Sequence, residues 1–163
     1  MIDIDDPQVR NRSLRLNARA EVRDVRLLSS SIGLERLPSQ NSSLSYDLNS
    51  SPEVQYSPGD NFFVVEIAYE LSIDDVAEVP GPSDDDESTS IANFVFTLAA
   101  LFALSMRDDD AAIEEDELEA YSLTTAQLLM YPYAREYIYD VTGRLGLPAL
   151  TVGMLKMTTS PDN

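Results

Sequence analysis

Neither cysteine nor histidine occurs anywhere in this chain. Their absence removes disulfides, thiol nucleophiles, Ser-His-Asp and Cys-His arrangements, and the usual ligands of zinc, haem and iron–sulfur clusters. Chemistry would fall to carboxylates, tyrosine, arginine and a single lysine, Lys156. No pair of carboxylates sits on an apolar background, as a raised pKa for acid–base work requires. The expectation is a protein without catalytic residues, metal or cofactor. Basic charge is scarce as well: 11 basic residues face 29 acids, giving a net charge of −18. Nucleic acid and anionic membrane, both polyanions, are therefore poor partners.

No stretch has the length of a membrane span. The most apolar run, "IANFVFTLAALFALSM" (91–106), stops short of the roughly 20 residues a spanning helix needs, and it carries Asn93, Thr97 and Ser105. The N-terminus "MIDIDDPQVR" is acidic and lacks the apolar centre of a secretion signal. These features predict a soluble, cytoplasmic protein. At 163 residues and 44% hydrophobic content it has the size of one domain with a core of its own.

Alternation marks the strands. From 63 to 73 every odd residue is apolar, while Glu66, Glu70 and Ser72 fall on the other side. Leu44, Tyr46 and Leu48 alternate with Ser43, Ser45 and Asp47, and the turn-rich "NSSPEVQYSPGDN" (49–61) predicts a hairpin between the two segments. Val22, Val25 and Leu27 predict another strand, out of phase by one residue as at a bulge. In 91–106 the even positions, from Ala92 through Phe94, Phe96, Leu98, Ala100, Phe102 and Leu104 to Met106, are apolar throughout. That run reads best as a fourth strand. Asp6-Pro7 has the form of a helix start, with a short helix to about Ala18.

Six of the arginines crowd between Arg10 and Arg26. They either pair with the protein's own acidic surface or a sister subunit, or they form a docking site for an acidic partner. The acidic stretches 74–90 and 107–117 lack the spacing and glycine of a calcium loop and read as solvated loops.

From Leu118 to about Leu145 the period becomes helical, with Leu123, Ala126, Met130, Tyr133, Ala134, Tyr137, Val141 and Leu145 in one stripe. Pro132 is expected to kink this helix, and Gly143 and Gly146 to end it. Within it "YPYAREYIYD" gathers four of the eight tyrosines: Tyr131, Tyr133, Tyr137 and Tyr139. Tyr131, Tyr139 and Leu128 lie off the stripe, so apolar surface exceeds what one sheet and one helix can bury. Such a surplus points to oligomerisation or partner binding.

The segment "LLMYPYAREYIYDVTGRLGLPALTV" (128–152) resembles the signature of the SecB protein-export chaperones: Pro132-Tyr133-Ala134-Arg135-Glu136 in the helix, then Leu147-Pro148-Ala149-Leu150. The order of strands over most of residues 20–155 is similar too. The resemblance implies an α+β fold: a four-stranded antiparallel sheet packed with one long helix, assembled as a dimer of dimers. It divides the chain into an N-terminal arm with a short helix (1–19), a SecB-like domain (20–157) and a polar tail (158–163).

The resemblance also implies an ATP-independent holdase for unfolded or nascent polypeptides, with Phe94, Phe96, Phe102, Leu123, Met130, Tyr133 and Tyr137 as client-groove candidates. Arg135 and Glu136 are candidates for a polar pair at an interface. Two departures bear on an export role: the family's second C-terminal helix has no counterpart, and Val95 stands where the family docks its translocase motor through an acid. The family includes a branch that protects antitoxins, and "NARAEVRDVRLLSSS" (17–31) is more similar to that branch. The readings carried forward are a holdase for export or assembly, a dedicated chaperone of an antitoxin, and an adaptor that binds one folded partner.

Overall fold

The structure, a computed structural model, describes residues 6–38, 43–76, 90–105 and 110–153. Four strands, β1 (Ala20–Leu34), β2 (Ser43–Gln55), β3 (Phe62–Val76) and β4 (Ser90–Leu104), form one antiparallel sheet in the order β1-β4-β3-β2. A helix α1 (Pro7–Asn17) precedes them, and α2 (Glu115–Tyr121) and α3 (Gln127–Arg144) follow, joined by a π-helical turn at Ser122–Ala126. The expected α+β architecture is present. Met106, most of the acidic stretch 74–90, Arg107–Asp109 and the tail 158–163 lie outside the described residues.

The pleat sorts the residues of the two central strands. Phe63, Val65, Ile67, Tyr69, Leu71 and Ile73 of β3 are buried, as are Phe94, Phe96, Leu98, Ala100, Phe102 and Leu104 of β4. In register, Phe63 meets Phe102 and Tyr69 meets Phe96. Each pair stacks with ring centroids 5.0 Å apart. Tyr121 then sets its ring edge-on to both Phe63 and Phe102, at 5.5 and 5.3 Å. Such pairs contribute about 0.5–1.5 kcal/mol each beyond the area they bury. The 91–106 run is thus a core strand, and no helix among the described residues is long and apolar enough to cross a membrane.

β1 shifts register at Val22/Asp24 and at Leu27/Ser29, the slip its sequence announces. β2 runs seven residues further than expected. Asn49–Gln55 continue the ladder, Pro52 included, and only residues 56–61 turn. Pro52 is tolerated because β2 is an edge strand, where a missing N–H leaves no neighbour unpaired.

The helical stripe is only partly as read. Ala126, Met130 and Ala134 are buried, but Tyr133 is 47% exposed and Ile138 and Thr142 are buried in its stead. The π-helical turn adds a residue per turn and breaks the phase that a constant 3.6 period assumes. Near its end the helix is also covered on a second side, by the segment that follows it. α3 runs through Pro132 and past Gly143 to Arg144. It closes in a Schellman motif: Gly146 at φ 76° gives its N–H to the Gly143 carbonyl, and Leu147 gives its own to Thr142.

α1 begins as expected, with the Asp6 carboxylate accepting the Gln8 N–H at 2.8 Å. Arginines in and just after it answer the protein's own acids: Arg12 meets Asp116 at 3.1 Å, Arg15 meets Glu117 at 3.2 Å, and Arg19 meets Asp110 at 3.7 Å. Beneath them lies a relay of hydroxyls. Ala120's carbonyl can only accept, so Thr124 gives its proton there (2.7 Å) and takes one from Ser13 (2.6 Å). Ser13 in turn accepts from Thr125 at 2.8 Å. Helix α1 is therefore built into the helix layer.

Burial holds the Tyr121 hydroxyl protonated, pushing its pKa up to about 12, against an unfolded value near 10. Between these values the unfolded chain binds fewer protons than the folded one, so stability is full below pH 10 and falls as pH rises toward 12. Tyr121 should account for about 1.4 kcal/mol per pH unit in that window. Tyr121→Phe should flatten the alkaline limb in denaturant melts; an unchanged slope would show that this ring does not govern it.

Candidate functional site

Between the helix layer and the edge strand β2 runs a trough. Its floor is every second residue of β2: Leu44, Tyr46 and Leu48, then Ser50, Pro52 and Val54. At ~3.3 Å per residue this floor extends about 33 Å. Its far half is open, a groove of about 510 Å³ walled by Tyr56, Pro58, Ile113 and Leu118. That volume lies within the ~300–1,000 Å³ common among ligand sites. Glu115 and Glu119 stand at its rim and make it attractive to a basic ligand. Ser50 and Gln127 face each other across the middle, Oγ to Oε1 at 3.4 Å.

The near half is filled by the chain itself. After the Schellman turn, residues 147–153 double back along it, with Leu147 and Val152 buried and Leu150 half-buried. Thr142 holds the beginning of this strap. Its hydroxyl donates to the Ile138 carbonyl (2.8 Å) and accepts the Leu150 N–H (3.0 Å). Two tyrosines hold the other end: Tyr46 accepts the Gly153 N–H at 3.0 Å, and Tyr131 donates to the Gly153 carbonyl at 2.7 Å. Burial first, then the neighbouring Tyr46, raises the Tyr131 pKa, against an opposing pull from Arg135. The hydroxyl therefore remains a donor at neutral pH.

The four crowded tyrosines point to different places. Tyr131 serves the strap. Tyr137 tilts against Phe96 at 4.6 Å and shares a hydrogen bond with Ser30 on β1. Tyr133 and Tyr139 face outward, 47% and 55% exposed. On β1 the helix-side residues Val22, Leu27, Ile32 and Leu34 are exposed, since the helix leaves that flank uncovered.

Of the groove candidates, Phe94, Phe96, Phe102 and Met130 are buried core residues beneath the helices. Their alternation reports burial, which a periodicity cannot separate from a binding wall. Leu123 and Tyr137 are half-buried, and Tyr133 alone of the seven is exposed. Arg135 and Glu136 make no ion pair with each other; as neighbours on a helix they point apart. The Arg135 Nε is buried without a hydrogen-bond partner among the described residues, and Glu136 is exposed. Sequence reasoning missed the trough: Pro52, Val54, Tyr56 and Pro58 fell in a segment read as a turn. Their alternation across Pro52 was the available signal.

Thr142→Val keeps shape and burial but deprives the Leu150 N–H of its acceptor. The expected loss is about 1–3 kcal/mol, or ~2–4 °C in Tm per kcal/mol for a domain of this size. An unaltered Tm would show that water replaces the hydroxyl without cost.

No family model matches this sequence. It is 39% identical over 165 residues to the SecB-like chaperone Rv1957 of Mycobacterium tuberculosis H37Rv, covering 98% of this chain and 91% of that protein. The SecB-like chaperone MT2006 of M. tuberculosis CDC 1551 matches equally well. A solved structure, M. tuberculosis Rv1957 in complex with a ChAD peptide from the Rv1956 HigA1 antitoxin, aligns with a TM-score of 0.78 at 38% identity. It covers 93% of this chain and all of that one. With such identity over nearly the whole length, this chain belongs to the SecB-like chaperones.

Proposed function

We propose that this protein is the dedicated chaperone of an antitoxin, and that it binds an extended apolar segment of that antitoxin along the β2 trough. The observation that carries this reading is the full-length similarity to a chaperone solved with an antitoxin peptide. The open half of the trough supports it: apolar, elongated, rimmed by Glu115 and Glu119, and set beside a free strand edge. Holding a peptide needs no catalytic residue, and we infer no enzymatic activity. An export role is disfavoured, since Val95, exposed on the uncovered face of the sheet, offers a motor protein no charge.

Assembly follows from the other edge. β1 is long and, among the described residues, has no neighbour on its outer side, and its apolar helix-side residues Val22, Leu27, Ile32 and Leu34 are exposed. A second copy pairing there would satisfy both the backbone and the apolar flank. Tyr133 and Tyr139, exposed on α3, then suit a contact between two such dimers. Light scattering should return about four times the 18.1 kDa chain mass; a monodisperse monomer would overturn the assembly.

For binding, peptides tiled across an antitoxin of the HigA1 kind are the probes. One of them should bind with Kd below about 100 μM, roughly −5.5 kcal/mol, with ATP making no difference. Raised salt should slow association to the acidic scaffold and leave most of the affinity in place. Val54→Asp, in the open half, should weaken binding about tenfold or more by placing a charge against apolar ligand, whereas Val95→Asp should not. Binding that ignores Val54 and answers to Val95 would move the site to the other face. If no antitoxin peptide binds while unrelated unfolded proteins are kept from aggregating, the general holdase reading replaces this one.

A further inference from the structure

The strap is held the way a foreign peptide would be. Its grip on the chain is made largely through backbone groups: Leu150 N–H, Gly153 N–H and Gly153 carbonyl, taken by Thr142, Tyr46 and Tyr131. Its side chains serve as three anchors, Leu147, Leu150 and Val152, while Pro148, Ala149 and Thr151 between them face solvent. Grooves of about 350 and 260 Å³ open beside Leu147–Thr151 and beside Val152 and Gly153, so its packing in the trough is incomplete. It lies in line with the open half, on the same β2 floor.

We propose that the near half of the trough is a second extended-peptide subsite, occupied in the free protein by residues 147–153, and that a client segment takes it by displacing them. This rests on the peptide-binding reading above for the client, but the subsite can be tested without one. The ligand it fits is an extended stretch with apolar side chains at positions i, i+3 and i+5 followed by a small residue, as in Leu147-Pro-Ala-Leu150-Thr-Val152-Gly153. Bound at both halves, a client would span the whole floor. The strap then acts as a built-in competitor, and the apparent affinity of any client is reduced by the fraction of time the strap is closed.

The test uses the full chain and a labelled heptapeptide of sequence LPALTVG supplied in trans. The unmodified protein should not bind it. The double variant Leu150→Ser/Val152→Ser, which loosens the strap and leaves the trough intact, should bind it. Adding Tyr131→Phe to that variant should weaken binding about fivefold or more, because the carbonyl clamp is lost. A folded double variant that ignores the heptapeptide up to about 1 mM overturns the subsite.

Should the double variant fail to fold, hydrogen exchange on the unmodified chain decides. Saturation with a bound antitoxin peptide should speed exchange at the Leu150 and Gly153 amides about tenfold or more while the α3 amides keep their protection. Unchanged or slower exchange at those two amides overturns the proposal even if the client binds. Heptapeptide binding with no antitoxin peptide bound anywhere would leave the subsite standing and sink the antitoxin reading alone.

Discussion

Two stacked ring pairs, Phe63 on Phe102 and Tyr69 on Phe96, run across β3 and β4 and fix where the helix layer can lie. Tyr121 and Tyr137 dock edge-on or tilted against them, one from each half of the long helix. A helix centred on the two middle strands is about as wide as two strands are. The edge strands β1 and β2 are therefore left with apolar helix-side residues that the helix does not fully cover. Both of the surfaces proposed above for assembly and for peptide binding follow from that one mismatch of width. On the β1 side the uncovered residues suit a second copy; on the β2 side they floor the trough.

The π-helical turn belongs to the same constraint. Thr124 sits within it, buried, and ties the helix to α1 through Ser13. Widening the helix there turns Tyr121 onto the Phe63–Phe102 pair while Met130 and Ala134 still face the sheet. The ion pairs of Arg12 and Arg15 with the first turn of α2 close the other side of that joint. Each pair keeps one well-exposed partner, Asp116 or Arg15, and so contributes little; the buried hydroxyl relay and Leu16 carry more of the attachment than the charges do.

Most of the fold was legible because strands write their burial into alternation. β3 shows it from Phe63 to Ile73 and β4 in its uniformly apolar even residues, and the β1 bulge shows as a slip of phase. The helix start at Asp6-Pro7 and the stop at Gly146 are likewise local chemistry. The site was far less legible. Phe94, Phe96, Phe102 and Met130 look like a binding wall in sequence because apolar character reports only that water is excluded, not by what. Pro52 reads as a turn because its tolerance depends on β2 being an edge strand, which pairing order decides. Thr142 became core where the strap folds back onto it, a tertiary event no period contains.

The chemistry of the strap's clamp also bears on how occupancy of the trough is governed. A tyrosine hydroxyl both donates and accepts, so Tyr131 and Tyr46 together satisfy the two halves of one glycine's backbone, whatever side chains flank it. Such a clamp selects for extended backbone and a small residue, not for a particular sequence. Because the chain has no histidine, no group there changes charge on its ordinary pKa between pH 5 and 8, and burial moves Tyr131 further from that range. Exchange between strap and client is thus left to competition between two peptides for the same donors, acceptors and apolar floor. The acidic rim at Glu115 and Glu119 favours whichever contender carries basic residues, and the described part of the strap, from Leu147 to Gly153, carries none.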